Sequence, residues 1–199
     1  MKTKEKIIYQ SLNLFSIRGY GSVSIRDIAK SVGIKGSSIY NHFKSKQDIF
    51  DTIVKKYSEN ANKFLENIYL SNKFIDLEIN DVFDEKFLDI SIEIFKFYLE
   101  DPYIIKFRQM LTVEQFNNKK VAELYQKIFI DDILNTLKEI FLLLIKKNIF
   151  VNKDPYVLAL EFYSPVFLLF YKYKRVTNDE IEALKKHIIA FKDTYAMKG

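Results

Sequence analysis

A short basic stretch near the N-terminus carries the side chains best suited to bind a ligand. From Lys35 to His42 the sequence reads Lys-Gly-Ser-Ser-Ile-Tyr-Asn-His. Lysine can neutralise a phosphate or reach guanine, serine can donate to a phosphate, and asparagine can bond adenine through both ends of its amide. Gly36 and Ser37 add little bulk, so a duplex could approach the backbone closely. The stretch therefore indicates contact with DNA.

The chain offers little chemistry of other kinds. It contains no cysteine, which excludes disulfides, thiolate metal sites and cysteine nucleophiles. Its two histidines, His42 and His187, are far apart in sequence. No phosphate-binding glycine loop, metal-ligand spacing or nucleophile elbow accompanies them. We therefore expect no enzymatic activity, no cofactor and no metal site.

The net charge of +5 is concentrated in the first quarter of the chain. Residues 1–50 hold nine basic and three acidic side chains, whereas the other 149 residues hold 22 basic and 23 acidic ones. The glycines follow the same division, since all except Gly199 precede residue 37. We therefore predict a basic DNA-binding domain over residues 1–60 and a nearly neutral second domain over residues 61–199.

Two short predicted helices position the basic stretch. Ser24 and Asp27 form the pattern of a capping box, which begins a helix that Gly33 ends. A second short helix follows from about Lys35 to Phe43. Two short helices joined by a tight glycine turn indicate a helix-turn-helix over about residues 24–43, and in that motif the second helix lies in the major groove.

The same residues resemble a known family. Residues 24–34 (Ser-Ile-Arg-Asp-Ile-Ala-Lys-Ser-Val-Gly-Ile) and residues 38–46 (Ser-Ile-Tyr-Asn-His-Phe-Lys-Ser-Lys) are similar to the DNA-binding domain of TetR-family transcriptional regulators. Phe15 and Gly19-Tyr20 match the end of that family's first helix, so the resemblance covers about residues 1–60. Lys46, at the start of the fourth helix, would contact phosphate together with the amides of that helix. The resemblance implies DNA contacts at Ser24, Arg26, Lys35, Gly36, Ser37, Ser38, Tyr40, Asn41, His42 and Lys46.

Some of these assignments have alternatives. Tyr40 could pack inside the domain instead of contacting DNA, and His42 could be either a packing residue or a residue on the phosphate side. Lys2, Lys4 and Lys6 either form a solvated tail or touch the DNA backbone as an N-terminal arm. The burial of each side chain distinguishes packing from contact.

The rest of the chain is predicted to be helical throughout, so we expect an all-α fold. A three-helix helix-turn-helix domain is followed by a C-terminal helical bundle for ligand binding and dimerisation. One long helix is expected from about Asn118 to Lys147. Another begins at Asp154-Pro155 and is apolar almost all round. Thr177 begins a last helix, whose apolar residues are spaced 3, 4, 3 and 4.

The last two predicted helices also indicate assembly. A helix that is apolar all round must be covered on every side, and a seam with this spacing is typical of packing against another helix. We therefore expect a C2 homodimer in which both helices meet their mates as a four-helix bundle. The alternative is that these faces only fill the core of one chain. The predicted interface comprises Phe162, Phe170, Ile181, Leu184, Ile188, Phe191 and Tyr195.

Aromatic residues make up 16% of the chain, and most of them lie in the second domain. They could line a ligand pocket between helices or could be plain core. In a pocket, the few polar groups would come from Arg108, Gln109, Gln115 or Glu161. The candidate pocket residues are Tyr98, Tyr103, Phe107, Met110, Tyr125, Phe129, Phe162, Tyr163 and Phe167.

The resemblance implies a ligand-responsive transcriptional regulator. We expect a repressor that binds a palindromic double-stranded DNA operator as a dimer and is released by a small apolar or aromatic effector. The alternative is a DNA-binding regulator without an effector. The N-terminus lacks an apolar segment, and Glu161, Ser164 and Pro165 interrupt the most apolar stretch. We therefore expect a cytoplasmic protein without membrane association.

Overall fold

The computed structural model describes residues 2–71, 83–172 and 176–197. Within these ranges the chain is almost entirely helical and contains no β-strand, which confirms the predicted all-α fold. An isolated antiparallel bridge joins Phe150 to Ala196, and no helix in the same ranges is long and apolar enough to cross a bilayer. The elements are α1 (Thr3–Arg18), α2 (Ile25–Val32), α3 (Gly36–Ile39), α4 (Lys46–Ser71), α5 (Phe83–Glu100), α6 (Pro102–Glu114), α7 (Lys119–Gln126), a π-turn (Lys127–Asp131), α8 (Asp132–Lys146), α9 (Pro155–Leu169) and α10 (Asn178–Tyr195).

The packing divides the chain into two compact units. Unit 1 comprises Met1–Leu65 and Pro102–Gln126, and unit 2 comprises Glu66–Asp101 and Lys127–Gly199. The helices α6 and α7 are thus grouped with the N-terminal helices, because α6 packs along α1. The domain boundary near residue 60 that the sequence suggested remains a prediction.

The N-terminal helices of unit 1 enclose a small apolar core. The Phe15 ring of α1 has its centroid 5.5 Å from that of Tyr20 and 6.2 Å from that of Phe50. Each fully buried aliphatic or aromatic side chain of this kind stabilises the fold by about 1.5–3 kcal/mol. The core members are Ile7, Ile8, Leu12, Phe15, Ile28, Ala29, Ile39, Phe43, Ile49, Phe50 and Ile53.

Helix α6 contacts α1 near both of its ends. Near the start of α6, the Tyr103 ring lies edge to face with the Tyr9 ring at 5.7 Å and stacks on the Tyr57 ring at 6.0 Å. Near its end, Val113 stands next to Gly19, where an added Cβ would lie 3.2 Å from the valine Cγ1. Gly19 also has a positive φ of 75°. Both its backbone and its neighbour therefore favour glycine.

Unit 2 has an aromatic core built around α9. On one side of the helix, the Phe162 ring has its centroid 5.7 Å from Phe95, 5.7 Å from Phe141 and 5.0 Å from Phe191. Aromatic contacts of this geometry add about 0.5–1.5 kcal/mol each beyond the area they bury. A second group of rings in contact with one another comprises Tyr98, Phe129, Tyr163, Phe167 and Phe170.

The long helix predicted from about Asn118 to Lys147 is interrupted. After α7 the backbone widens into the π-turn, and α8 then continues to Lys146. Inside the turn, the Phe129 carbonyl accepts a hydrogen bond from the buried Tyr163 hydroxyl at 2.9 Å. The apolar spacing did not predict the interruption, because the contact that accompanies it comes from a helix distant in sequence.

Two later helices begin as the sequence predicted. The Thr177 hydroxyl accepts from the Glu180 N–H at 3.4 Å, and the Glu180 carboxylate accepts from the Thr177 N–H at 2.8 Å, which completes a capping box. The Asp154 carboxylate accepts from the Tyr156 N–H at 2.7 Å and the Val157 N–H at 3.3 Å. These caps fix the starts of α10 and α9.

Candidate nucleic-acid interface

The first helix of the motif, α2, begins at a complete capping box. The Ser24 hydroxyl accepts from the Asp27 N–H at 3.1 Å, and the Asp27 carboxylate accepts from the Ser24 N–H at 2.8 Å. The hydrogen bonds from Ser24, and then the guanidinium of Arg18, hold the pKa of Asp27 below its usual value. The carboxylate is therefore ionised at neutral pH and secures the start of α2.

The turn between the two short helices depends on Gly33. Its φ of 79° and ψ of 32° lie in the left-handed region. The Gly33 N–H donates to the Lys30 carbonyl at 3.2 Å, and the Ile34 N–H donates to the Ala29 carbonyl at 3.0 Å. This pair of hydrogen bonds is a Schellman motif, which ends α2 sharply and redirects the chain into α3.

The second helix is shorter than the sequence predicted. Helix α3 spans only Gly36–Ile39 and does not extend to Phe43. Beyond it, the N–H groups of Tyr40 and His42 donate to carbonyls three residues earlier and the Phe43 N–H donates to the Ile39 carbonyl four residues earlier, so the chain continues as turns and not as a regular helix. Ile39 and Phe43 are 0% and 3% exposed and anchor the segment to the core of unit 1.

None of the ten positions predicted to contact DNA is buried. Tyr40 is 58% exposed, which excludes a packing role inside the chain, whereas Phe43 fills the core. Gly36, Ser38 and Lys46 are half-buried. The exposed members are Ser24, Arg26, Lys35, Ser37, Tyr40, Asn41 and His42.

Basic side chains surround α2 and α3. Lys30, Lys35 and Lys44 are exposed, and none of them forms an ion pair with a carboxylate in the part of the chain that the structure describes. Lys4 and Lys6 lie in α1 and not in a tail, and the Lys4 ammonium lies 5.3 Å from the Phe43 ring centroid. The N-terminal turn of α1 therefore adds positive charge beside the end of the α3 segment.

Lys46 differs from these basic residues. Its ammonium donates to the carbonyls of Tyr20 at 2.7 Å and Val23 at 2.8 Å, and it lies 4.2 Å from the Tyr20 ring centroid. Arg18 acts similarly, since its guanidinium donates to the Ser22 carbonyl at 3.1 Å. Sequence reasoning missed both contacts, because any residue type supplies a backbone carbonyl and the sequence therefore carries no signal for it.

The residues predicted to line a pocket are divided between the two units. Those of unit 1 are buried except Tyr103, which is 45% exposed: Tyr103, Phe107, Met110 and Tyr125. Those of unit 2 are buried except the half-buried Phe167: Tyr98, Phe129, Phe162, Tyr163 and Phe167. The contacts inside each unit are those of a packed core, and pocket lining remains a prediction.

Two tyrosine hydroxyls lie among the phenylalanine rings of unit 2. Burial, with a smaller contribution from Asp132, raises the pKa of Tyr98 to about 12. The Tyr98 ring centroid lies 6.3 Å from that of Phe129 and 6.4 Å from that of Phe170. The aromatic group of unit 2 is therefore an apolar environment that contains two polar groups, the hydroxyls of Tyr98 and Tyr163.

The residues predicted to form the dimer interface lie mostly inside unit 2. The apolar seam of α10 faces α5 and α9 of its own chain, so these side chains contribute to the protomer's core. Glu161 accepts a hydrogen bond from the Tyr195 hydroxyl beside this seam. Apart from the half-buried Tyr195, the predicted members are at most 7% exposed: Phe162, Phe170, Ile181, Leu184, Ile188 and Phe191.

The outer side of α9 is apolar and exposed. Val157, Leu160 and Leu168 are 41%, 40% and 70% exposed, and Tyr171, just beyond the helix, is 56% exposed. With the exposed Ser164 they are spaced 3, 4, 4 and 3 along the chain, which places them on one face of a helix. We refer to these five residues as the α9 stripe. Among the residues that the structure describes, the contacts of this apolar helix are therefore concentrated on its inner side.

Comparisons with known proteins agree on the class of the N-terminal domain. Residues 7–53 match the profile of the family described as bacterial regulatory proteins, tetR family. The chain is 36% identical over 116 residues to the biofilm operon icaADBC HTH-type negative transcriptional regulator IcaR of Staphylococcus aureus (strain Newman). That similarity covers 57% of this chain and 57% of the relative, so the chain spans less than two thirds of the curated relative's length. Both matches are to regulators of transcription and not to enzymes.

Solved structures share the fold over nearly the whole chain. A TetR-family transcriptional regulator from Mesorhizobium loti MAFF303099 has a TM-score of 0.71 at 17% identity, with 98% of this chain and 97% of the other covered. The SmeT–triclosan complex has a TM-score of 0.69 at 18% identity, with coverages of 100% and 94%. Similarity at this level of identity establishes the fold, a helix-turn-helix domain followed by a helical domain.

Proposed function

We propose that this chain, whose residues 7–53 match the profile of the tetR family of bacterial regulatory proteins, is a ligand-responsive transcriptional repressor of that family. In this proposal a homodimer binds a palindromic double-stranded operator, and a small molecule releases it. The observation that carries the proposal is the surface of α2 and α3. There, polar and basic side chains suited to DNA are exposed over the buried Ile28 and Ile39.

Each part of this surface has its own role in the proposed complex. Lys35 neutralises phosphate, and the exposed Asn41 amide reads a base edge. At Gly36 nothing lies within 4 Å of the position that a Cβ would occupy, so the duplex can approach the backbone there. The repressing direction is supported by IcaR, which is named as a negative regulator.

The α9 stripe supports the dimer. An exposed apolar stripe on a helix whose other side is already buried needs a second apolar surface, and a twofold axis supplies the same stripe from the partner. In the proposed dimer, α9 and the outer side of α10 meet their mates as a four-helix bundle. Binding to a palindromic site requires the two copies of α3 to lie about 34 Å apart, the spacing of successive major grooves on one side of the duplex.

The effector is proposed to be small and apolar or aromatic. Support comes from the rings and two hydroxyls around Tyr98 and Tyr163 in unit 2, since ligand sites are mostly apolar with a few placed polar groups. Support also comes from SmeT, which has the same fold and whose solved structure is a complex with triclosan. We place the protein in the cytoplasm, where operator DNA is accessible.

The experiment that tests the proposal is a titration of labelled DNA with the full-length chain. Fluorescence anisotropy with duplexes from the region upstream of its own coding sequence should reveal one palindromic site bound with high affinity. N41A should weaken binding to that site by about 1–3 kcal/mol, the value of one bidentate base contact. Adding small aromatic compounds to the complex should identify one that lowers the affinity.

The matched control is N60A, because Asn60 is an exposed asparagine of α4 outside the motif. N60A should bind the operator like the unmodified protein. Equal loss in both variants, or binding that does not depend on DNA sequence, would contradict the proposed readout. A complex that no compound weakens would leave the regulator without an effector.

A further inference from the structure

Few backbone hydrogen bonds hold the turn that connects α1 to α2, residues 19–24: the Gly19 N–H donates to the Phe15 carbonyl at 3.0 Å and the Val23 N–H to the Tyr20 carbonyl at 3.4 Å. It begins at Gly19 with a positive φ and ends at Ser24, the N-cap of α2. Backbone carbonyls outside regular structure need donors from elsewhere. In this turn the Val23 N–H donates to the Tyr20 carbonyl at 3.4 Å, and the basic side chains of Arg18 and Lys46 donate to the carbonyls of Ser22, Tyr20 and Val23.

Lys46 supplies two of these hydrogen bonds from the start of α4. Its ammonium lies 2.7 Å from the Tyr20 carbonyl oxygen and 2.8 Å from that of Val23. The same ammonium lies 4.2 Å from the Tyr20 ring centroid, within the range of a cation–π interaction. An ammonium has three donors, and here two of them are directed into the protein.

The α1–α2 turn also determines where α2 begins. Arg18 holds the Ser22 carbonyl at 3.1 Å, and the Ser24 hydroxyl and N–H are paired with Asp27. A displacement of Val23 is therefore passed to Ser24 and to Arg26, two of the residues assigned to DNA. The carbonyls that Lys46 holds lie one and four residues before Ser24.

We propose that Lys46 is a positioning residue, which orders the α1–α2 turn and thereby aims Ser24 and Arg26 at the operator, and that it does not neutralise a phosphate. The inference rests on the proposed DNA-binding function. It reverses the role that the family resemblance implied for Lys46. Its physical basis is that moving the ammonium to a phosphate would remove the lysine donor from the Val23 carbonyl and would leave the Tyr20 carbonyl with only the 3.4 Å hydrogen bond from the Val23 N–H.

The two roles differ in the salt dependence of DNA binding. A lysine that neutralises one phosphate contributes about 0.9 to the slope of log K against log salt concentration. We expect K46M to lose about tenfold in operator affinity with an unchanged slope, and to lose less affinity for unrelated DNA. K35A is the comparator, because Lys35 is exposed and forms no ion pair with the residues that the structure describes, and the slope of K35A should fall by about one. A slope that falls by about one in K46M would overturn the proposal.

A measurement on the unmodified protein keeps the proposal testable if K46M does not fold. Acetylation of lysines with an amine-reactive ester, read by mass spectrometry, should label Lys46 at least fivefold more slowly than the exposed Lys44, with or without DNA. Lys35 should be labelled fast in the free protein and slowly in the complex. Fast labelling of free Lys46 that DNA suppresses would refute the positioning role.

The same labelling separates failure of this inference from failure of the proposed function. If the protein binds no operator, the proposed function fails, while slow labelling of Lys46 and faster hydrogen exchange of the 20–24 amides in K46M would still support its role in the turn. If the operator is bound and Lys46 labels like Lys44, the inference fails and the DNA-binding function stands.

Discussion

Two glycines of the helix-turn-helix allow folding and DNA contact to be tested separately. An added Cβ at Gly33 or at Gly36 would find nothing within 4 Å in the free chain, so neither substitution creates a clash. The two positions differ in backbone conformation, since Gly33 has a φ of 79° and Gly36 is the first residue of α3. G33A and G36A are therefore a matched pair.

The expected stability changes have opposite signs. Alanine in the left-handed region costs about 1–2 kcal/mol, and the less flexible unfolded chain returns about 0.4–1 kcal/mol. G33A should therefore lower the free energy of unfolding by about 1 kcal/mol. G36A meets no strain at a helical position and should raise it by about 0.5–1 kcal/mol. Urea unfolding followed by circular dichroism should show a difference of about 1.5–2 kcal/mol between the variants.

DNA affinity should show the reverse order. In the proposed complex, the extra methyl group of G36A would lie where the duplex approaches, so operator affinity should fall by about 1–3 kcal/mol, the usual cost of overpacking a close contact. G33A, measured well below its unfolding transition, should bind within about threefold of the unmodified protein, because Gly33 faces no predicted contact. If G36A binds normally, α3 does not face DNA. If both variants are equally destabilised, the conformational argument for Gly33 is wrong.

Two further expectations concern unit 2. The pKa of Tyr98 is raised to about 12, so the folded state keeps the phenol proton at pH values where an unfolded chain, with a pKa near 10, has lost it. The free energy of unfolding should therefore fall by about 1.4 kcal/mol between pH 9 and 11. Urea unfolding of Y98F should lack that part of the loss. L168E introduces a charge into the α9 stripe at a side chain that is 70% exposed, so sedimentation should show a dimer that dissociates at least tenfold more readily. The control is I17E, at the 79% exposed Ile17 of α1, which should leave the dimer intact. If L168E remains dimeric, the interface does not lie at the stripe.

Local signals predicted the helix-turn-helix in detail. Ser24 and Asp27 form the predicted capping box, and Gly33 adopts the left-handed conformation that ends α2. Hydrogen-bonding groups three residues apart and a glycine at a helix end act over a few residues, so the sequence contains all the information they need. The length of α3 was overestimated, because the buried Ile39 and Phe43 are four residues apart, as they would be in an α-helix, although the residues between them form turns.

The local sequence did not predict which helices pack against each other. The spacing of Ile181, Leu184, Ile188 and Phe191 showed that one face of α10 is buried, and the structure shows that the partners are helices of the same chain. Periodicity reports that a face is covered but not what covers it. The contacts of Lys46 with two carbonyls and of Tyr163 with the π-turn were not predicted for a related reason. Every residue has a backbone carbonyl, so the sequence does not indicate which carbonyl accepts the hydrogen bond.

In the segment from Gly36 to Phe43, different residues determine the fold and form the exposed surface. A helix of four residues has no stability of its own, so Ile39 and Phe43, both buried, must determine its shape. The exposed residues between and beside them contribute almost nothing to folding. If the proposed DNA contacts hold, we expect substitutions at Ser37, Asn41 or His42, which are exposed, to alter the preferred DNA sequence at little cost in stability. In that case new operator preferences would be accessible to this chain one residue at a time.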